Sequence, residues 1–367
     1  MVNIKIKPWI ANLPEYIPGR TIEDIREKYK LKQVYKLASN ENVFGPSPKV
    51  IEYFKKGLFD INYYPDSYCR QLRKKLSLKL GVTGESIIFG NGTDQIIEMV
   101  CDAILEKGKN VVIPDPTFLT YEKSALKNRA EVIKVPLADY RQDIKSIAGK
   151  INKDTAIVFL TSPHNPTGTI LSKEEIEYAL ENISKNILIV LDEAYVEFMP
   201  QEDKIDSIGY LRKHDNLLVM RTFSKIYGIA GLRIGYGIGN KEIISNITKL
   251  MQPFVVNSIA QIAAIISLED DENINNNIQI IIKEREKFCK KLRNEGIAFV
   301  KSYSNFILIK AGSKSLEIVE ELLKNGFIVR GGEFLGFPGY IRVSISLPEI
   351  NEKFTDLFIS LYKKYNS

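Results

Sequence analysis

The spacing of apolar residues changes character along the chain. Between residues 86 and 239, short β-branched runs alternate with stretches in which apolar residues recur every three or four positions. SIIFG (86–90) predicts a strand, TDQIIEMVCDAILEKG a helix closed by Gly108, NVVIP (110–114) a strand and TFLTYEKSALKNR a helix. EVIKVP, TAIVFLT, ILIVLDEA, NLLVMRT and RIGYGIG supply five more strands. This alternation is that of an α/β domain with a large, mostly parallel sheet covered on both faces. After Gly239 the pattern is long, charged and helical to about residue 296. FVKSYSNFILIKA, a helix around SLEIVEELLKNG, FIVRGG and GYIRVSISL then predict a smaller α+β unit ending in a helix. The first 45 residues lack a sheet pattern and are expected to lie across the larger domain or a partner chain. The expected division is a large domain at 46–245 and a small C-terminal domain at 246–367, with residues 1–45 adding to the small domain and to a dimer contact.

Composition narrows the class. Of 367 residues, 44% are hydrophobic and 26% charged, as in ordinary soluble proteins, and length alone calls for more than one small core. The net charge of +6 is spread among acidic residues with no basic arm, which argues against nucleic acid as a partner. No signal-peptide pattern and no apolar run near the roughly 18 residues of a membrane span are present, so a cytoplasmic protein without membrane contact is expected. Cys69, Cys101 and Cys289 are too few and too scattered for a disulfide framework, and with only His164 and His214 no metal centre is expected.

Four segments carry candidate chemistry, each at the end of a predicted strand. GNGTDQ (90–95) opens a helix, where the free amides of Gly92, Thr93 and Asp94 suit an anion; it is equally a plain strand-to-helix turn. In TSPHNPTGT (161–169), Asn165 is either a turn residue or a ligand-facing amide, and His164 reads as a loop residue. LDEAYVEF (191–198) places Asp192 at the end of an apolar strand with Tyr195 nearby, and a carboxylate is costly to bury there without a partner. RTFSKIYGIAGLRIGY (221–236) sets Lys225 beside Thr222 and Ser224, with Arg233 eight residues on. Hydroxyls and a guanidinium fork suit a phosphate, and a lysine among them is placed to react with an aldehyde.

As an ordered set these motifs resemble the fold-type I pyridoxal 5'-phosphate (PLP) aminotransferases of class I/II, and most closely the histidinol-phosphate group within them. The likeness extends through KLASNENVFGPSP (36–48), YYPD (63–66), PDPTFLTY (114–121), SNF (304–306) and GYIRVSISLPE (339–349). It implies that Lys225 forms the Schiff base with PLP and then serves as the base of the proton shift. Asp192 would keep the ring nitrogen protonated, and Asn165 and Tyr195 would donate to the ring 3-oxygen. Gly92, Thr93, Asp94, Thr222, Ser224 and Arg233 would hold the phosphate, with the segment's glycines letting backbone approach it. Phe118, rather than Tyr121, would stack on the ring. Arg342 would grip a substrate carboxylate near Asn40, while Tyr16, Tyr64 and Arg330 would hold a substrate phosphate. Because the Tyr-Pro-Asp tyrosine often reaches a neighbouring subunit, the likeness also implies a homodimer with shared sites.

The implied reaction is a ping-pong exchange between a phosphorylated amine, histidinol phosphate first, and 2-oxoglutarate/glutamate. Three departures from the pattern bear on the substrate: Val43 in place of Pro, Ser346-Leu347 in place of Gly-Thr, and the short glycine-rich RGGEFLGFPGY (330–340). They leave open another small phosphorylated ketone, an aromatic amino acid, or decarboxylation of a phosphorylated hydroxy-amino acid.

Overall fold

The computed structural model describes residues 4–15, 17–57 and 60–366. Seven strands form the large sheet: β1 (Ile87–Gly90), β2 (Asn110–Asp115), β3 (Glu131–Pro136), β4 (Thr155–Thr161), β5 (Leu188–Asp192), β6 (Leu217–Thr222) and β7 (Gly235–Gly239). All seven were legible as short β-rich runs. Their spatial order is β1-β7-β6-β5-β4-β2-β3, and only β7 runs against its two neighbours. The other six therefore point the same way, so the carboxyl ends of β1, β2, β4, β5 and β6 meet along one edge, where open α/β sheets bind ligands.

Helices cover both faces, which is why the central strands read as unbroken apolar runs. Ile157 and Phe159 of β4 share a core with Val111, Val190 and Met220 beneath α1 (Thr93–Ile104) and α2 (Leu119–Lys127). Val158 and Leu160 face the opposite way, against Ile176 and Leu180 of α3 (Lys173–Asn182). A capping box between Ser172 and Glu175 fixes the start of α3.

Helices α4 (Ser258–Ser267) and α5 (Asp271–Asn294) lead to the smaller unit: β8 (Phe306–Lys310), α6 (Ser315–Lys324), β9 (Arg330–Gly331), β10 (Tyr340–Ser344) and α7 (Pro348–Asn366). Its sheet is antiparallel in the order β9-β10-β8. The N-terminal segment is not free of strand structure, as its pattern suggested: Tyr35–Lys36 pairs in parallel with Phe327–Ile328. Two residues are too short to show a period of two. Leu37, Tyr195, Phe223, Phe306 and Phe354 belong to one buried cluster, so the N-terminal segment, the large sheet and the smaller unit share a core. Among the described residues no helix is long and apolar enough to cross a membrane, and no group of three or more His, Cys, Asp or Glu is placed to hold a metal ion.

Candidate active site

A cavity of about 760 Å³ lies at the carboxyl edge of the large sheet, closed on one side by the smaller unit and the N-terminal segment. Asp192, Thr222 and Thr161 end neighbouring strands and reach it from the α1/α2 face. Since strand residues alternate, Arg221 points away, where it donates through Nε to Glu193 at 2.8 Å. Ser207 Oγ donates to the same carboxylate oxygen at 2.9 Å.

One end of the cavity is an anion cup. Gly92, at φ 78°, turns the chain from β1 into α1 so that the first amides of that helix open toward the cavity. Arg233 lies across this helix start, donating to Asp94 Oδ2 at 3.0 Å and to Ser224 Oγ at 3.4 Å. Thr222 Oγ1 accepts from the Ser224 amide at 3.0 Å, which fixes the strand-to-loop turn before Lys225. The segment's glycines do not all serve the cup, contrary to expectation. A Cβ at Gly235 would stand 2.7 Å from the Thr93 amide nitrogen, so that glycine does admit the cup's backbone. Gly228 instead meets the backbone of Gly45 and Pro46, docking the N-terminal segment against the lysine loop.

At the cavity floor Asp192 is 4% exposed. Its Oδ2 accepts from Tyr121 OH at 2.6 Å and its Oδ1 from the Ala194 amide at 3.0 Å. Burial pushes its carboxyl up to about 6, against the pull of these two donors, and the nearby charges of Asp94 and Glu193 push the same way. Lys225 Nζ donates to the Ser39 carbonyl at 3.2 Å and lies 5.3 Å from the centre of the Tyr195 ring. Tyr195 OH accepts from Asn40 Nδ2 at 3.0 Å, so its own proton is available. Asn40 adopts the left-handed conformation, φ 57°, that asparagine tolerates better than most residues.

On the opposite wall stand two arginines. Arg342 of β10 and Arg330 of β9 are direct cross-strand partners. Arg342 donates to Asn165 Oδ1 at 2.6 Å and to the Ala38 carbonyl at 2.7 Å. Arg330 donates to the Ile17 carbonyl at 3.0 Å and lies over the Phe334 ring. Like charges directly opposite on paired strands are destabilising, so this arrangement suits an anionic ligand.

Thr93, Asp94, Phe118, Asn165, Asp192, Tyr195, Thr222, Ser224, Lys225, Arg233, Asn40, Arg330 and Arg342 thus line one cavity. Tyr64 does not: it is 81% exposed and stacked on Phe254, with centroids 4.4 Å apart. Tyr16 lies outside the described residues. His164 is a loop residue, as expected, but not a solvated one. It is fully buried, with Nδ1 2.9 Å from Thr167 Oγ1, and burial pushes its imidazole down to about 3. Sequence reasoning passed over Ser344 and Asn305, which hold Asn40 by its amide and its carbonyl, at 3.0 Å each. The Ser39 carbonyl that receives Lys225 is a backbone group and carries no sequence signal.

The sequence profile of the family described as aminotransferase class I and II matches residues 32–354. A histidinol-phosphate aminotransferase of a Geobacillus species (strain WCH70) is 38% identical over 98% of this chain and 99% of its own. Another, from Halalkalibacterium halodurans, is 39% identical over 95% of each chain. Among solved structures, histidinol-phosphate aminotransferase from Sinorhizobium meliloti in complex with pyridoxal-5'-phosphate superposes with a TM-score of 0.87 at 27% identity, covering 98% of this chain and 97% of that one. On the extent of these matches, the chain belongs to the class I and II aminotransferases.

Proposed function

We propose that the chain binds PLP in this cavity and transfers an amino group from histidinol phosphate to 2-oxoglutarate. The observation that carries the cofactor is the pairing of an anion cup at α1 with a buried carboxylate that lacks a cationic partner among its hydrogen-bond donors. A phosphorylated, ring-nitrogen cation supplies what each end lacks. When bound, PLP supplies an electron sink for the carbon that bears the amine.

The chain's own groups then divide the work. The α1 amides at Thr93 and Asp94, the hydroxyls of Thr222 and Ser224, and the Arg233 guanidinium hold the phosphate. Asp192 accepts the ring N–H and keeps the proton on that nitrogen. Asn165 has its carbonyl oxygen engaged by Arg342, which leaves its Nδ2 to donate to the ring oxygen, together with Tyr195 OH. Phe118, at the start of α2, packs on the ring. Lys225 Nζ takes the proton from the amine-bearing carbon of the amino donor and, in the second half of the exchange, gives a proton to the corresponding carbon of the acceptor.

Two guanidinium groups on one wall suit alternating anionic substrates. Arg342 takes the carboxylate next to the reacting carbon of glutamate, and Arg330 takes the phosphate of histidinol phosphate. This reading makes residues 46–245 the cofactor domain, with 1–45 and 246–367 forming the wall that presents the arginines. Support for a homodimer comes from a surface patch that includes Ile61, Tyr63, Tyr64, Tyr68 and Phe254, all exposed. We place a second copy there, with Tyr64 serving that copy's cavity.

Single alanine variants of the two arginines test the substrate assignment. Arg342→Ala is expected to raise KM for glutamate about 10- to 100-fold, as for loss of a charge-assisted pair, with a smaller effect on histidinol phosphate. Arg330→Ala should raise KM for histidinol phosphate most. Equal losses for both substrates in each variant would remove the assignment.

A further inference from the structure

Asp192 is held by a residue to which the proposed function assigns no contact with the cofactor. Tyr121 sits in the first turn of α2 with its side chain fully buried. Its ring lies parallel to Phe159, with centroids 4.5 Å apart and planes 12° apart. That stack fixes the hydroxyl, which donates to Asp192 Oδ2 at 2.6 Å and lies 3.1 Å from Thr161 Oγ1. The hydroxyl has little tendency to ionise, because burial and the neighbouring carboxylate hold its pKa well above the usual phenol range. Its proton therefore stays on the tyrosine and points at the carboxylate.

We propose that Tyr121 is a positioning residue for the cofactor's ring nitrogen, acting through Asp192: it fixes the carboxylate's rotation and keeps it ionised. This rests on the PLP reading of the cavity. The groups acting on Asp192 from the surrounding elements are Tyr121 of α2, the Ala194 amide, Asp94 of α1 and the adjacent Glu193. Both charged members of this set are acidic, and they favour the protonated acid. Only the two donors oppose them, and Tyr121 is the only side chain of the pair. Without it the carboxylate holds a proton more tightly, and the proton shared with the ring nitrogen moves toward oxygen. A neutral ring is a weaker electron sink, so the hydroxyl acts on the chemistry without touching the reacting atoms.

Tyr121→Phe keeps the ring and its stack and removes only the hydroxyl. In the cofactor-free protein, labelled with 13C at aspartate carboxyls and assigned with Asp192→Asn, the Asp192 titration should move upward by about a tenfold change in its dissociation constant. In the holoenzyme carrying 15N-labelled PLP, the ring-nitrogen resonance should move from the protonated toward the neutral position. PLP should bind about tenfold more weakly to Tyr121→Phe than to the parent. In an Asp192→Asn background the same substitution should change affinity less than twofold, since the two residues act as one unit. An unchanged Asp192 titration, an unchanged 15N resonance, or an equal affinity loss in both backgrounds would overturn the role. Failure of the parent protein to bind PLP would instead sink the cofactor reading, and the cofactor-free titration would still decide whether Tyr121 controls Asp192.

Discussion

Gly92 joins backbone geometry to cofactor affinity most directly. It sits at φ 78° and ψ 171°, a conformation nearly restricted to glycine; holding another residue there costs on the order of 1–3 kcal/mol. A Cβ at this position would also fall inside contact distance of Arg233 Nη2 and only 3.1 Å from Cζ. The guanidinium is the mobile end of a long side chain, so it should swing off Asp94 rather than force the backbone apart. In Gly92→Ala the fold survives with a modest loss of stability, and the cup loses its arginine. Losing one charge-assisted contact of about 1.5–3 kcal/mol weakens PLP binding roughly 10- to 100-fold. Gly108→Ala is the control: it too has positive φ, 93°, but nothing lies within 4 Å of its added Cβ. Equilibrium titration with PLP and urea unfolding of the cofactor-free proteins separate the two effects. Both variants should lose stability, and only Gly92→Ala should lose affinity. A PLP Kd within twofold of the parent for Gly92→Ala would refute the reasoning.

Other outcomes follow from the same geometry. Lys225→Ala should retain weak PLP binding through the phosphate cup while losing the visible absorbance band and turnover; measurable turnover near the parent rate would remove Lys225 from its role. Arg221→Met leaves Glu193 buried without its cation, so urea unfolding should show a loss of about 3–5 kcal/mol, and a loss below about 1 kcal/mol would mean the pair is solvated. Burial lifts Asp192 from its ordinary 3.8 to about 6 in the cofactor-free chain. Between those values the folded chain keeps a proton that the unfolded chain has released, so stability should fall as pH rises through this window, by about 3 kcal/mol. Glu197, pushed up to about 7 by burial, extends the decline. Asp192→Asn should flatten the lower part of the curve; an unchanged slope would mean that Asp192 does not titrate in this range.

The central strands of the large sheet were legible because they are covered on both faces. Runs such as TAIVFLT and ILIVL admit no amphipathic helix, and each ends in the polar residues that line the cavity. The reversed direction of β7 left no such trace, because burial is the same for either sense. The two-residue bridge at Tyr35–Lys36 was hidden for a different reason: pairing there depends on Phe327–Ile328, nearly 300 positions away. Asp192 and Lys225 stood out because charged residues rarely follow apolar strands so closely, and Arg233 by its spacing from Lys225. The Tyr121 hydroxyl, His164 and Asn305 did not, since their importance lies in burial and in partners remote in sequence. Tyr64 shows a further limit: its motif is clear, yet its surroundings in a single chain are solvent and Phe254.

The most direct measurement is the absorbance spectrum of the PLP-loaded protein before and after histidinol phosphate is added with no keto acid present. Loss of the visible band, restored by 2-oxoglutarate, is the expected result and would establish both the half-reaction and the substrate. A band that ignores histidinol phosphate but responds to glutamate would contradict the substrate assignment. No visible band in the loaded protein would contradict the cofactor site itself.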